Sequence, residues 1–300
     1  MSESAPVSVR WGAASHRGAR RKLNEDSYLA SPSAFFVADG MGGHEAGEVA
    51  SAMAIDALRP LSWLNVVTAQ DVKERLHVAH DDVSGIAAPE GRGAGTTLTG
   101  VVVSEQDGLP YWLVANVGDS RTYHVVEGRL EQISVDHSEV QELVDAGALT
   151  PAQAARHPRR HVVTRALGAA ARPDADYWYL PLSTGDRLLV CSDGLTTELD
   201  DDRIATLLRA NAEPQAAADA LLQAALAAGG RDNITVLVVD AVDAGPDAES
   251  TAPRATHVPS PPPPDENTRP RQDGVPEQPA AVGTHEQTAA AAAVTTGGEA

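Results

Sequence analysis

Short apolar runs separated by turn residues recur along the first 243 residues of the chain and predict β-strands. The runs read VSVRWGAA, SAFFVAD, TTLTGVVVS, PYWLVANVG, RTYHVVEG, DRLLVCSDG and NITVLVVD. Several neighbouring runs are joined by turns that are too short to hold a crossover helix. We therefore expect the strands to pair in a largely antiparallel manner.

Four other segments carry apolar residues at helical spacing and predict helices. In HEAGEVASAMAIDALRPL, one stripe is formed by Val49, Met53, Ala54 and Ala57. The other segments are TAQDVKERLHVAHDDVSGIA, DDRIATLLRA and PQAAADALLQAALAAGG. Because strands and helices come in blocks, the pattern predicts a layered α+β architecture.

The composition changes sharply near Ala244, after which Pro, Ala, Thr and Glu dominate and large apolar residues are nearly absent. Such a segment cannot bury enough apolar surface to offset the entropy lost on ordering. We therefore predict a globular domain over residues 1–243 and a disordered tail over residues 244–300. A tail without function and a tail that docks to a partner are both compatible with this composition.

The formal net charge of −19 argues against nucleic-acid binding, because contacts to phosphates need clustered lysine and arginine. A single cysteine, Cys191, lies in an apolar run and allows no disulfide within the chain. The N-terminus lacks the layout of a signal peptide, and no apolar run approaches the length of a membrane span. We expect a cytoplasmic monomer that binds neither nucleic acid nor a membrane.

Acidic residues stand at the ends of several predicted strands. These positions are Asp39, Asp119, Asp193 and Asp232. Each acid taken alone is typical of a solvated turn, but their repetition beside glycines favours a common site. After Asp39 comes the turn GMGG, whose bare backbone can approach a ligand closely, and carboxylates beside exposed carbonyls suit a hard cation.

The segment RRKLNEDSY offers complementary chemistry. Arg21 carries a planar guanidinium that suits bidentate phosphate binding, and Glu25 and Asp26 could hold water molecules on a metal. A guanidinium beside a carboxylate cluster indicates phosphoryl chemistry, whereas a surface salt bridge is the simpler alternative.

Eight motifs in this order resemble those of the bacterial PP2C (PPM) metal-dependent serine/threonine protein phosphatases. They are RRKLNEDS, VADGMGGHEAGEVAS, GAGTTLTGVVV, ANVGDSRTY, VDHSEV, VVTRALG, CSDGLTTEL and GGRDNITVLVV. The resemblance covers about residues 7–241. It implies a four-layer αββα sandwich, with two antiparallel β-sheets flanked by helices and metals at one end. It also implies hydrolysis of phosphoserine and phosphothreonine in proteins by a metal-bridged hydroxide, without a phosphoenzyme.

The resemblance also implies roles for individual residues. Asp39 would bridge two metals with the Gly40 carbonyl on one of them, and Asp193 and Asp232 would complete the ligands of the other. Asp119 would hold a third, weaker metal. Arg21 would clamp the phosphate, Glu25 and Asn233 would hold waters, and Asp26 would support the ligands without binding metal. Oxygen-only ligands select Mn²⁺ or Mg²⁺ over zinc.

Two positions depart from the family pattern. Met41 stands where other branches carry a histidine that protonates the leaving oxygen, so a water or His44 must take that role. His16 replaces an aspartate that bacterial relatives usually carry. Residues 138–168 are expected to form a flap beside the cleft. The alternative function is a catalytically silent regulatory or phosphoprotein-binding module, which would not need Asp39, Asp193 and Asp232 together.

Overall fold

The computed structural model describes residues 7–42, 46–86, 93–126, 128–244 and 256–258. By its internal contacts the chain divides into residues 1–260 and 261–300, and every described residue belongs to the first unit. The strands are β1 (Ser8–His16), β2 (Asp26–Ala30), β3 (Ala34–Met41), β4 (Gly95–Thr96), β5 (Leu98–Gln106), β6 (Leu109–Val117), β7 (Arg121–Val126), β8 (Arg129–Gln132), β9 (Asp176–Pro181), β10 (Arg187–Cys191), β11 (Ile234–Asp243) and β12 (Thr256–Val258). The helices are α1 (Ala46–Leu58), α2 (Ala69–Ser84), α3 (Glu139–Asp145), α4 (Pro151–Ala154), α5 (Asp193–Glu198), α6 (Asp201–Ala210) and α7 (Pro214–Ala228), and a 3₁₀ segment follows α1 at Arg59–Trp63.

The strands form two antiparallel sheets. The first has the order β1-β11-β10-β7-β8, and the second has the order β12-β9-β6-β5-β3-β2 with β4 paired to β3. The two sheets pack on each other through a core that includes Phe35, Trp112, Leu188 and Leu237. These layers confirm the predicted α+β class and its antiparallel pairing.

Helices cover the outer face of each sheet. Phe36 turns away from the inter-sheet core and packs with α1 and α2 in a second cluster. On the other side, Leu189 and Val238 pack with Ile204 of α6 and Leu221 of α7. Neighbouring residues of β3 therefore serve different layers, as the period-two geometry of a strand requires. The four-layer αββα arrangement is confirmed.

The register predicted for α1 is partly wrong. Val49 is 43% exposed, whereas Ala50, Ala54 and Leu58 are buried against the second sheet. Small residues on this face let the helix backbone approach β3 closely, so the larger valine is left on the outer side. In α2 the helical spacing predicts a stripe of Val72, Leu76 and Ala79, and all three are buried. A reciprocal capping box between Thr68 and Asp71 starts the helix.

A short strand lies within the segment predicted as a tail. Residues Thr256–Val258 form β12, which extends the second sheet by pairing with β9. The edge of β9 supplies backbone partners that composition alone cannot reveal. The division into a domain over residues 1–243 and a disordered tail stays a prediction. Residues 245–255 and 259–300 lie outside the described residues. Within the described residues, no helix is long and apolar enough to cross a membrane.

A buried ion pair fastens the first sheet to the end of α6. Arg187 Nε and Nη2 donate to the two carboxylate oxygens of Asp240 at 2.6 and 2.7 Å. Its Nη1 donates to the main-chain oxygens of Leu208 and Asn211, both at 2.7 Å. One guanidinium therefore satisfies an acid on β11 and the carbonyls at the C-terminal end of a helix.

We expect Arg187→Met to lower the free energy of unfolding by about 3–5 kcal/mol, because it leaves the buried Asp240 with only its longer contact to Arg10 Nη2 at 4.0 Å. Urea denaturation followed by circular dichroism measures the change. Arg59→Met is the matched control, since Arg59 pairs with Asp56 at 2.6 Å on an exposed surface and should contribute less than about 1 kcal/mol. Equal losses in the two variants would contradict the prediction.

Candidate active site

Acidic side chains from both sheets meet at one end of the sandwich. Asp39 lies near the end of β3 and pairs in register with Asp26 on β2. From the first sheet, Asp193 follows β10, and Asp232 lies two residues before β11. Asp119 lies in the turn between β6 and β7. The convergence that the strand ends predicted is therefore present.

An open cleft of about 560 Å³ collects the predicted residues. Its lining includes Arg21, Glu25, Asp39, Gly40, Asp119, Asp193, Asp232 and Asn233. Asp26 lies behind this lining and is buried. His44 lies outside the described residues, so its proposed share in proton donation stays a prediction.

The backbone of Asp39 is fixed by two threonines that precede β5. Its carbonyl accepts from the Thr97 N–H and the Thr96 hydroxyl, both at 2.9 Å, and its N–H donates to Thr97 Oγ1 at 3.1 Å. The glycine-rich segment before β5 thus packs on the Asp39 turn. These bonds fix the main chain of Asp39, whose side chain stays outside them, and the residue lines the cleft.

Gly40 allows a close backbone approach. A Cβ built on Gly40 would lie 2.0 Å from the carbonyl oxygen of Gly47 and 2.7 Å from that of Glu25. The Gly40 N–H donates to the Glu25 carbonyl at 3.1 Å. A side chain here would push α1 and the Glu25 loop away from β3, which explains why glycine occupies this position.

Asn233 uses its side chain to hold the loop that carries Glu25. Its Oδ1 accepts from the Glu25 N–H at 2.8 Å, and its Nδ2 donates to the carbonyls of Arg17 and Leu23 at 2.9 and 2.8 Å. These bonds tie the segment before β2 to the start of β11. A role for Asn233 in holding a water on a metal stays a prediction.

Buried oxygens in this site lack donors. Ser192 Oγ donates to Asp26 Oδ2 at 2.8 Å, but Asp26 Oδ1 and Glu25 Oε1 are buried without a hydrogen-bond partner. Burial and the repulsion of neighbouring carboxylates raise the pKa of Asp26 to about 7 and that of Asp39 well above its ordinary value. A site that crowds anions in this way fits divalent cations.

Burial is also the main cause of the raised pKa of Asp119, which reaches about 7, and the nearby charge of Asp193 adds to it. One guanidinium and one imidazole approach these acids. Arg21 Nη2 lies 2.8 Å from Asp232 Oδ2, and His161 Nδ1 lies 3.4 Å from Asp193 Oδ2. The guanidinium of Arg21 is half exposed, so it stands at the wall of the cleft.

Among the described residues, no three carboxylate, imidazole or thiol side chains are grouped so that they could hold a metal ion by themselves. Mg²⁺ and Mn²⁺ accept carboxylate and backbone carbonyl oxygens together with water as ligands. Gly40 and the aspartates that line the cleft offer such oxygens, whereas a closed zinc site would need a full set of side-chain ligands.

The sequence analysis missed Ser192, whose hydroxyl bonds to Asp26 across 166 positions of the chain. The available signal was its place directly before the strand-end acid Asp193. In the flap, Arg160 and His161 line the cleft, whereas Arg159 pairs with Glu139.

Residues 14–228 match the family described as protein phosphatase 2C. The chain belongs to the protein phosphatase 2C family. The resemblance seen in the sequence motifs is thereby confirmed.

Relatives of this family member include bacterial phosphatases. Over 244 residues the chain is 41% identical to the serine/threonine protein phosphatase PstP of Mycobacterium tuberculosis, covering 78% of this chain and 45% of PstP. It thus spans about half the length of that relative. It is 36% identical over 213 residues to the serine/threonine phosphatase stp of Listeria welshimeri, covering 68% of this chain and 82% of stp. A crystal structure of the PstP catalytic domain in complex with two manganese ions matches with a TM-score of 0.69 and 35% identity, covering 79% of this chain and 100% of that one.

We expect Gly40→Ala to lower both the melting temperature and the affinity for Mn²⁺, because the added Cβ meets main-chain atoms that cannot move separately. Thermal unfolding and isothermal titration calorimetry with Mn²⁺ measure the two effects. Gly93→Ala is the control, since its Cβ meets no atom within 4 Å. A Gly40→Ala protein that matches wild type in both measurements would refute the close-packing argument.

The buried acids should make stability depend on pH in the presence of a chelator. With a pKa of about 7 against an ordinary 3.8, Asp26 holds its proton in the folded state over a range where the unfolded chain has lost it. Stability should therefore fall as pH rises from about 4 to about 7.

Urea denaturation at several pH values measures this slope, and Asp26→Asn should reduce it. The exposed acid Asp56 provides the control, because Asp56→Asn should leave the slope unchanged. An identical slope in wild type and Asp26→Asn would show that Asp26 ionises freely in the folded protein.

Proposed function

We propose that this chain is a metal-dependent protein serine/threonine phosphatase. The observation that carries the proposal is the convergence of Asp39, Asp193 and Asp232 from two sheets on an open cleft, beside buried carboxylate oxygens without donors. The family and the names of the relatives support the same reaction class. A silent binding module would have no use for a cluster of buried acids that raise one another's pKa values.

Two Mn²⁺ or Mg²⁺ ions would be held by Asp39, the Gly40 carbonyl, Asp193 and Asp232, and Asp119 would hold a third. Divalent ions supply charge that neutralises phosphate oxygens and make a water nucleophilic at neutral pH. With water as the nucleophile, no covalent bond between phosphate and the protein is required. The two manganese ions in the PstP complex support this choice of metal.

The protein's own groups orient the phosphoryl group. Arg21 stands half exposed at the cleft wall, where its planar guanidinium can donate two hydrogen bonds to phosphate oxygens. To bind phosphate, Arg21 must either divide its hydrogen bonds between phosphate and Asp232 or release Asp232. Because Thr96, Thr97 and Asn233 fix the main chain around the acids, little reorganisation is needed during the reaction.

Proton delivery to the leaving serine oxygen must come from a group other than Met41, whose thioether carries no proton. Met41 lines the cleft together with Asp119. We assign the role to a water held near Asp119, with His44 as the alternative.

The substrates we propose are phosphorylated proteins that serine/threonine kinases produce. The names of the relatives support phosphoprotein substrates, and the net charge of −19 opposes binding of nucleic acid. We also propose that the protein works as a monomer in the cytoplasm, without contact to a membrane.

Asp193→Asn should slow hydrolysis of a phosphoserine peptide in Mn²⁺ by about 100-fold or more, because the amide removes an anionic ligand. Phosphate release measures turnover, and circular dichroism checks the fold. Asp82→Asn, an exposed position on α2, is the control and should keep full activity. Undiminished wild-type hydrolysis in excess chelator would overturn the metal dependence. Peptide binding without any hydrolysis by wild type would instead favour the silent binding module.

A further inference from the structure

A buried histidine stands at the base of the flap, outside the residues that line the cleft. His137 is 6% exposed and directly precedes the flap, residues 138–168. None of the roles described so far uses this side chain. Its hydrogen bonds nevertheless connect it to Gly118, the residue before Asp119.

His137 holds the residue before Asp119 by two hydrogen bonds. Its ring Nδ1 accepts from the Gly118 N–H at 3.1 Å, and its own main-chain N–H donates to the Gly118 carbonyl at 2.9 Å. Because Nδ1 accepts a hydrogen bond from a backbone N–H, this nitrogen carries no proton. The ring proton then lies on Nε2, which is 3.1 Å from Asp176 Oδ2 and can donate to it. Arg165 Nη1 lies 3.4 Å from this Nε2 and also 3.4 Å from Asp176 Oδ1, to which it can donate. The structure thus selects one tautomer.

The same residue connects this turn to the flap. The His137 carbonyl accepts from the Thr164 N–H at 2.8 Å, where the flap returns to the sheets. Next to it, Ser138 and Val163 form an antiparallel bridge that closes the two ends of the flap on each other. The base of the flap and the Asp119 turn therefore share one anchoring residue.

Asp119 is also anchored on its other side. Ser120 Oγ lies 2.8 Å from Thr97 Oγ1, and Thr97 Oγ1 accepts from the Asp39 N–H at 3.1 Å. Asp119, a residue that is 8% exposed, thus lines the cleft from a turn held at both flanking residues. Thr97 itself lines the cleft, whereas His137 acts from behind it.

We propose that His137 is a positioning residue that sets the place of the Asp119 carboxylate in the cleft by holding Gly118 through its unprotonated Nδ1. The inference rests on the proposed phosphatase function for its effect on turnover. Its structural content, the hydrogen bond to Gly118, can be tested independently of any reaction.

Two substitutions test the contributions of the two ring nitrogens separately. In His137→Asn, the amide oxygen can take the place of Nδ1 and keep the bond to Gly118, although the contact to Asp176 is lost. In His137→Gln, the amide reaches toward Asp176 and leaves Gly118 without its acceptor. We expect His137→Gln to reduce kcat on a phosphoserine peptide by about 10-fold or more, and His137→Asn to remain within about 3-fold of wild type.

His124→Asn is the matched control. His124 lies on β7 outside the cleft lining and also contacts a carboxylate, with Nε2 3.1 Å from Asp186 Oδ1. It should lower the melting temperature without changing kcat. Loss of kcat in His137→Asn equal to that in His137→Gln would overturn the proposal, because the Gly118 bond would then not be the deciding contact.

A double variant tests whether His137 acts through Asp119. In an Asp119→Asn background, His137→Gln should cause no further loss of kcat, whereas a purely structural role would add its full loss. Multiplying losses would therefore overturn the proposal. An Asp119→Asn variant with wild-type kcat would overturn it as well, since there would be no carboxylate function to position.

The hydrogen bond between His137 and Gly118 can also be tested in the unmutated protein, so this test does not require that a variant folds. Nitrogen-15 NMR of ring-labelled histidine should show His137 in the Nε2–H tautomer, with the Gly118 amide proton coupled to Nδ1. Observation of a proton on Nδ1 would overturn the proposal. If wild type fails to hydrolyse phosphopeptide but shows the coupled Nε2–H ring, the proposed function fails while the Gly118 contact is supported.

Discussion

The cleft depends on one constraint, which is that carboxylates from two different sheets are held side by side and largely away from water. Asp26 and Asp39 face each other on neighbouring strands, and Asp193 reaches them from the opposite sheet. Their repulsion and burial favour the protonated forms, so the fold must offset an unfavourable local arrangement. A site of this kind is stabilised when cations enter it, and the rest of the architecture keeps the acids in place until then.

Neutral groups make most of the hydrogen bonds that keep these acids in place. Thr96 and Thr97 bind the main chain of Asp39, Ser192 donates to Asp26, and Asn233 supports the loop of Glu25. None of these contacts neutralises a carboxylate, so the negative charge stays available to metal ions. The same logic extends to Asp119, which lines the cleft while its flanking residues are anchored.

Much of the fold was predictable because strand geometry imposes a simple period. Phe35 and Phe36 are adjacent in sequence and fill different cores, as alternation requires. The helical register of α1 was predicted less well. Val49 is apolar and correctly spaced, yet Gly47 and Ala50 occupy the contact face, because close backbone approach there favours the smaller side chains.

The sequence by itself determined the antiparallel α+β class, the acids at strand ends and, through the order of its motifs, the family. These features depend on local periodicity and on residue chemistry that each segment carries alone. Only the tertiary structure decided that Ser192 bonds to Asp26, that Asn233 holds the Glu25 loop and that β12 extends the second sheet. It also decided that His137 reaches Gly118. The physical reason is that each of these contacts joins separate segments of the chain, so its geometry exists only after folding has brought those segments together.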